Sequence, residues 1–357
     1  MPATPTPAAT ASLDAYSSPA ELFAPLDRGR VRCLACAHRC VVLPEGRGIC
    51  RVRFNHAGAL RAPSGYVSSL NPDPVEKKPL YHVLPGSVAL TFGMLGCNLH
   101  CDFCQNWEIS QTLRDDQAMA RFRPVEPEQV VQAAVRSGAR LVVSSYNEPL
   151  ITSEWAVRIF RLGREAGLRT AFVSNGYASP EVLEYLRPWV DAYKVDLKAM
   201  RPETYRRLGA RRDPVLETIR RAHALGFWVE VVTLVVPGMN DSADELRRMA
   251  DFLAGVSPDL PWHVTAFHPD YRHLDADWTP AAALQSAAET GAAAGLRYVY
   301  TGNLAGTGEW EDTRCPSCGA TVVRRGDLRW TGRRIVDCRL ANGRCPGCGQ
   351  AIPGIWE

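Results

Sequence analysis

The feature that most limits the fold of this chain is an alternation, from residue 88 onward, of short apolar runs with longer amphipathic stretches. The runs at 88–92, 141–145, 170–174, 192–196, 228–236, 263–267 and 298–300 have the length and apolarity of buried strands. Between them, 128–137, 154–165, 180–186, 214–225, 243–253 and 280–294 carry apolar residues at helical spacing. This is the pattern of βα units laid on a parallel sheet. Six or seven units taken in order predict an α/β fold of the partial (β/α)6 TIM-barrel type rather than a doubly wound sheet. Polar residues and glycines follow the strands, and in a barrel those positions share one rim.

The chain has 357 residues, which suits one large catalytic domain with smaller appendages. Its twelve cysteines fall in three groups: Cys33, Cys36, Cys40 and Cys50; Cys97, Cys101 and Cys104; and Cys315, Cys318, Cys338, Cys345 and Cys348. Close C-x-x-C pairs point to metal ligation rather than a disulfide scaffold, and the Pro/Ala/Thr-rich start lacks the basic and apolar regions of a signal peptide. The expectation is a reducing, cytoplasmic setting without a membrane span. A net charge of +3 predicts no partner by itself. The layout expected is a disordered tail over 1–20, a Cys-rich module and connector over 21–84, the barrel over 85–308 and a zinc-ribbon-like module over 309–357.

Cys97, Cys101 and Cys104 follow the first long strand at C-x3-C-x2-C spacing. Three thiolates on a [4Fe–4S] cube leave one iron without a protein ligand. The competing arrangement is a structural zinc with a fourth ligand such as His100. The run Gly96-Cys97-Asn98-Leu99-His100-Cys101-Asp102-Phe103-Cys104, with an aromatic residue before the third cysteine, resembles the radical S-adenosylmethionine (SAM) superfamily pattern C-x3-C-x-aromatic-C. That resemblance implies SAM chelated at the open iron and cleaved reductively to a 5'-deoxyadenosyl radical.

The later strand ends extend the resemblance. Tyr146-Asn147-Glu148-Pro149 stands where the superfamily carries a Gly-Gly-Glu-Pro-type segment, and so implies a contact to the SAM ammonium, with Glu148 as the charged partner. Asn175, in Ser174-Asn175-Gly176, could bond a ribose or carboxylate. Lys194, Asp196 and Lys198 alternate onto one face of a strand end. Val235 could pack on adenine, and Phe103 and Lys198 join the cofactor-binding candidates. Asp196, Lys198, His268 and Tyr271 are the catalytic candidates, although a lone histidine is more often structural. Taken in order, these blocks resemble the pyruvate formate-lyase activating enzyme-like branch. With Cys33, Cys36, Cys40, Cys50 and the connector Asp73-Pro74-Val75-Glu76-Lys77-Lys78-Pro79-Leu80-Tyr81-His82, the chain is similar to the AmmeMemoRadiSam system radical SAM enzymes. The resemblance implies a reductant such as flavodoxin or ferredoxin, and Memo-like and AMMECR-like partners.

Among the outer groups, Cys33, Cys36, Cys40 and Cys50 suit a structural zinc or a second iron–sulfur cluster; spacing does not choose, and a structural site is the expectation. Cys315, Cys318, Cys345 and Cys348 form two glycine-backed knuckles that read as zinc ligands, leaving Cys338 as a core or spare thiol. Arg314, Arg324, Arg325, Arg329, Arg333, Arg334, Arg339 and Arg344, with Trp330, give this module a basic surface for a macromolecular substrate or partner, or simply a solvated face. Three functions follow: a radical SAM enzyme abstracting hydrogen from an unidentified substrate, an activase of a glycyl radical enzyme, and a non-enzymatic zinc-binding adaptor.

Overall fold

The computed structural model of the protein describes residues 13–328 and 332–357. Its centre is an eight-stranded sheet whose strands lie side by side in chain order. They are β1 (Ser69–Pro74), β2 (Val88–Gly93), β3 (Leu141–Ser144), β4 (Arg169–Ser174), β5 (Ala192–Asp196), β6 (Trp228–Val235), β7 (Trp262–Ala266) and β8 (Val299–Gly302). Strands β2 to β8 are mutually parallel. The sequence-derived strands are all present.

Helices fill the connections: α1 (Pro127–Arg136), α2 (Ser153–Glu165), α3 (Pro180–Leu186), α4 (Pro202–Arg207), α5 (Arg212–Ala224), α6 (Ala243–Val256) and α7 (Ala281–Ala293). Local chemistry sets their starts. Ser179 Oγ accepts from Val182 N–H at the start of α3, and Ser242 Oγ from Glu245 N–H at the start of α6. One sheet face puts Leu90, Phe92, Val142 and Phe172 into the large core shared with the helices. The other face gathers Ala89, Leu141, Val143, Ala171 and Ala192 into a second cluster with Val75, Leu80, Val83 and Leu84.

Two stretches differ from expectation. The connector is itself a strand: β1 pairs antiparallel with β2 from Ser69↔Gly93 to Pro74↔Val88. Pro72 and Pro74 hid it, since proline donates nothing to a ladder, but the outer edge of a sheet tolerates that loss. The expected tail over 1–20 divides. Residues 1–12 lie outside the described residues, whereas Ser17–Pro19 pair with Arg61–Pro63 and Leu13 is buried.

The C-terminal segment forms a three-stranded antiparallel sheet of β9 (Thr313–Arg314), β10 (Thr321–Leu328) and β11 (Gly332–Cys338). Its basic residues do not all face solvent. Arg325 is buried, donating to Thr313 Oγ1 at 2.9 Å and to Tyr81 O at 2.8 Å, with its guanidinium 4.1 Å from the Tyr81 ring centre. Arg329 and Trp330 lie outside the described residues. Among the described residues, no helix is long and apolar enough to cross a membrane.

Candidate active site

A cavity of about 410 Å³ opens at the carboxyl ends of the strands. It is lined by Ser145 after β3, Val173 of β4, Lys194 and Asp196 of β5, Val232 and Leu234 of β6, Thr265 of β7 and Asn303 after β8. Residues at the ends of six consecutive strands therefore border one cavity.

Cys97, Cys101 and Cys104 line this cavity on the loop leaving β2. Gly96 precedes them at φ 94, a conformation that favours glycine, and turns the chain inward. Burial pushes the Cys97 and Cys101 thiols up, Cys101 to about 12, so the pocket favours protonated sulfur until a metal compensates the charge. Donors for thiolate sulfur are in place: Leu99 N–H lies 3.3 Å from Cys97 Sγ, and Ser110 Oγ lies 3.2 Å from Cys104 Sγ. Phe103 is buried and lines the cavity, with Lys198 Nζ 6.0 Å from its ring centre. Among the described residues, His100 does not converge with Cys97, Cys101 and Cys104 as the fourth ligand of one zinc would; its ring packs against Gly209, where an added Cβ would fall 2.2 Å from it.

The strand-end candidates fall into two groups. Tyr146, Asn147, Glu148, Asn175, Lys194, Asp196 and Lys198 all line the cavity. Asp196 bridges the two lysines, pairing with Lys194 and accepting from Lys198 Nζ at 3.2 Å. Burial opposes its charge, but the two ammonium groups win and hold the Asp196 carboxyl down at about 2. Glu148 has no such counterion, and burial raises it to about 7. Its oxygens accept from Leu150 N–H at 3.0 Å, Ser174 Oγ–H at 2.7 Å and Asn175 N–H at 2.7 Å. Much of its hydrogen-bonding capacity therefore holds the ends of β3 and β4 together. Asn175 likewise spends its Nδ2 on Asn98 Oδ1 at 2.7 Å and its Oδ1 on Tyr177 N–H at 2.9 Å.

Val235, His268 and Tyr271 are not on the lining. Val235 is fully buried in the helix-side core, and the apolar wall is made by Val232 and Leu234. A β-strand alternates its faces, so residues at even spacing from Val232 point inward and Val235 points away. His268 rests against Trp278, with ring centres 5.4 Å apart. Tyr271 stacks on Trp107 at 5.1 Å and donates to Asp115 Oδ2 at 2.7 Å. Sequence reasoning missed Lys77 and Lys78, which also line the cavity. Asp73 holds both at 2.8 Å and accepts from Tyr146 O–H at 2.9 Å, tying the connector to the loop after β3. Two adjacent lysines inside a proline-rich connector were the available signal.

The outer cysteine sets differ in geometry. Among the described residues, Cys315, Cys318, Cys345 and Cys348 are the one set of three or more Cys, His, Asp or Glu side chains whose ligand atoms all lie within 4.8 Å of one another. Cys338 is exposed and stands apart from it.

A family model described as the Radical SAM superfamily matches residues 92–253. An uncharacterised protein of Methanocaldococcus jannaschii is 36% identical over 336 residues, covering 93% of this chain and 98% of its own length. The pyruvate formate-lyase-activating enzyme of Clostridium pasteurianum is 24% identical over 207 residues, 54% of this chain and 82% of its own. Among solved structures, a radical SAM methyltransferase from Sphaerobacter thermophilus matches 82% of this chain and 80% of that chain at 15% identity, with a TM-score of 0.49.

Proposed function

Because the chain belongs to the radical SAM superfamily, in the branch of the pyruvate formate-lyase activating enzymes, we propose that it abstracts hydrogen from a substrate held in the β-strand-end cavity. The observation that carries this reading is that Cys97, Cys101 and Cys104 open into the same cavity as Lys194, Asp196, Lys198 and Glu148. A [4Fe–4S] cluster with SAM supplies reductive cleavage to a 5'-deoxyadenosyl radical when bound there. The chain's residues hold and orient. Leu99 N–H and Ser110 Oγ–H stabilise thiolate sulfur, Lys198 sets a positive charge beside Cys101 and Cys104, and Val232 and Leu234 keep one wall apolar. The lysines of the rim suit a carboxylate, and Glu148 suits the ammonium of the same amino acid group. We read 85–308 as a partial barrel that carries the chemistry, 21–84 and 309–357 as metal-bearing appendages, and the C-terminal set as a zinc ribbon.

The activase reading is the second one, favoured by relatives named as activating enzymes, including the isethionate sulfite-lyase activating enzyme of Oleidesulfovibrio alaskensis at 30% identity over 145 residues. It would take a polypeptide glycine as substrate. The connector supports the AmmeMemoRadiSam assignment, with Memo-like and AMMECR-like partners, a flavodoxin or ferredoxin as reductant, and a cytoplasmic setting. A zinc-only adaptor fits poorly, since the central cysteines do not converge as ligands of one ion do. The anaerobically prepared protein is expected to release 5'-deoxyadenosine from SAM with dithionite. Cys101→Ala should abolish this and leave C-terminal zinc bound. An intact central cluster without any deoxyadenosine would refute the proposal.

A further inference from the structure

Cys33 ends the short strand Val31–Cys33, and Cys36, Cys40 and Cys50 lie on the turns that follow it. Cys33, Cys36 and Cys50 are buried and Cys40 half-buried. Cys33 N–H donates to Cys40 O at 2.9 Å, and Gly48 is flanked by two of the sulfurs: a Cβ there would lie 3.8 Å from both Cys40 Sγ and Cys50 Sγ. Electrostatic contacts link Cys33 with Cys50, Cys36 with Cys33 and Cys50, and Cys40 with Cys33, so the four surround one region.

They do not surround it as ligands of one zinc would. A tetrahedral zinc with sulfur at about 2.3 Å sets its sulfurs roughly 3.8 Å apart. The C-terminal set matches that shell, with Cys315 to Cys348 at 3.5 Å and Cys318 to Cys345 at 3.7 Å. Among the described residues, neither the N-terminal four nor Cys97, Cys101 and Cys104 supply three sulfurs within 4.8 Å of one another. A centre built from four irons holds its thiolates farther apart than one ion does. Neither the N-terminal nor the central set has the close sulfur packing of the C-terminal one.

Two further observations bear on what fills that space. Arg53 is fully buried beside Cys33 and Cys50, with Nη1 and Nη2 on Glu154 at 2.8 and 2.6 Å, yet its buried Nε–H has no partner. An unmet buried donor is costly, and an anionic sulfur centre would accept from it. The loops of the two cysteine sets also touch. A Cβ on Gly96 would lie 3.3 Å from Cys50 O, and Asn98 places Oδ1 3.8 Å from Cys97 Sγ while its side chain faces Cys36. His38 Nε2 adds a contact to Asn98 O at 2.9 Å.

We infer that Cys33, Cys36, Cys40 and Cys50 hold a second [4Fe–4S] cluster, fully ligated by cysteine, that relays single electrons to the cluster of Cys97, Cys101 and Cys104. A one-electron protein reductant is oxidised as the second cluster is reduced. That cluster returns to its oxidised state as the central one gains the electron. The relay rests on the proposed SAM chemistry, whereas the second cluster stands without it.

The test uses the full chain reconstituted anaerobically with iron and sulfide. The triple variant Cys97→Ala, Cys101→Ala, Cys104→Ala is expected to keep about half of the wild-type iron and to give a cluster signal by electron paramagnetic resonance on reduction. Zinc in place of that iron would overturn the inference. Cys36→Ser with Cys50→Ser should lose the complementary half; if that protein does not fold, the triple variant decides alone. Fully reduced wild-type protein should show spectral broadening that the triple variant lacks, as two neighbouring spins require. Unbroadened, additive signals would overturn the relay. Full iron content without deoxyadenosine would overturn the relay through the SAM chemistry and leave the second cluster supported by its iron count.

Discussion

At the residue scale, the cavity depends on side chains that are absent as much as on those present. Gly93 ends β2 where an added Cβ would lie 2.8 Å from Ser145 O and 3.0 Å from the Tyr146 side chain. Tyr146 itself sits at φ 70, so the chain after β3 lies flat across the end of β2 and delivers the phenol to Asp73. Gly93→Ala is expected to cost about 2 kcal/mol, because backbone rather than a mobile side chain must give way. It should also weaken SAM binding by displacing Tyr146 from the lysine-bearing wall. Thermal denaturation and equilibrium dialysis of the cluster-loaded protein measure the two effects, and a wild-type midpoint with wild-type affinity would contradict them. The sequence placed Tyr146, Asn147 and Glu148 at the cavity because a strand end in this kind of sheet lies on its rim. It did not place Lys77 or Lys78 there, because they reach the cavity from Asp73, which pairs with both, at the end of a β1–β2 ladder that proline disguises. Nor did it reveal that Glu148 is held by three internal donors, since hydrogen-bond partners come from the packed fold and not from the motif.

At the element scale, the segment after β6 shows how a strand end is locked in position. Asn240 is fully buried in the turn that follows. Its Oδ1 accepts from Val236 N–H at 2.7 Å, and its Nδ2 donates to Lys198 O and Leu234 O, both at 2.8 Å. One side chain thereby fixes β6 against the end of β5 and sets Lys198 and Leu234 at the cavity. Asn240→Ala is expected to destabilise the fold by roughly 2 to 4 kcal/mol, since one buried and two half-buried backbone groups lose their partner. Asn240→Asp should do similar damage, because a carboxylate keeps the acceptor but turns an oxygen toward two carbonyls. Urea unfolding of both variants checks this, and a mild Asp variant would contradict the role of the donor. The strand was legible as an apolar run, but its facing was not. Strands covered on both sides read as continuous hydrophobic sequence, so alternation does not mark which residues point inward. That is why Val235 looked like a cavity residue while Val232 and Leu234 form the wall.

At the scale of the whole molecule, the amino ends of the same strands join the catalytic body to the C-terminal segment through a buried polar chain. Glu230 on β6 accepts from Tyr81 N–H, His82 N–H and Trp228 Nε1–H, each at 3.0 Å, and from His263 Nε2–H at 2.7 Å. Because Pro353 O can only accept, His82 Nδ1 carries the proton in their 2.6 Å contact. His82 Nε2 then accepts from Tyr300 O–H at 2.6 Å, and the chain continues through Thr313 to Arg325 of β10. None of this was legible, since it joins residues far apart in the chain that carry no shared motif. Burial, chiefly, pushes His82 down to about 4, below the roughly 6.5 of a free histidine in the unfolded chain. The unfolded chain therefore binds the extra proton first, so this contribution to stability is fully present above pH 6.5 and is lost as the pH falls toward 4. It amounts to roughly 3 kcal/mol across that window. Urea unfolding between pH 7.5 and 4.5 should show a steeper loss for the wild-type protein than for His82→Gln, which is less stable at neutral pH but has no imidazole there to titrate. Parallel slopes would mean that His82 does not carry the acid sensitivity. Since Thr313, Arg325 and Pro353 all flank the cysteines of the C-terminal set in the chain, stripping metal from that set should lower the stability of the catalytic body as well. A body whose unfolding midpoint is unchanged by chelation would show that the polar chain survives without the metal.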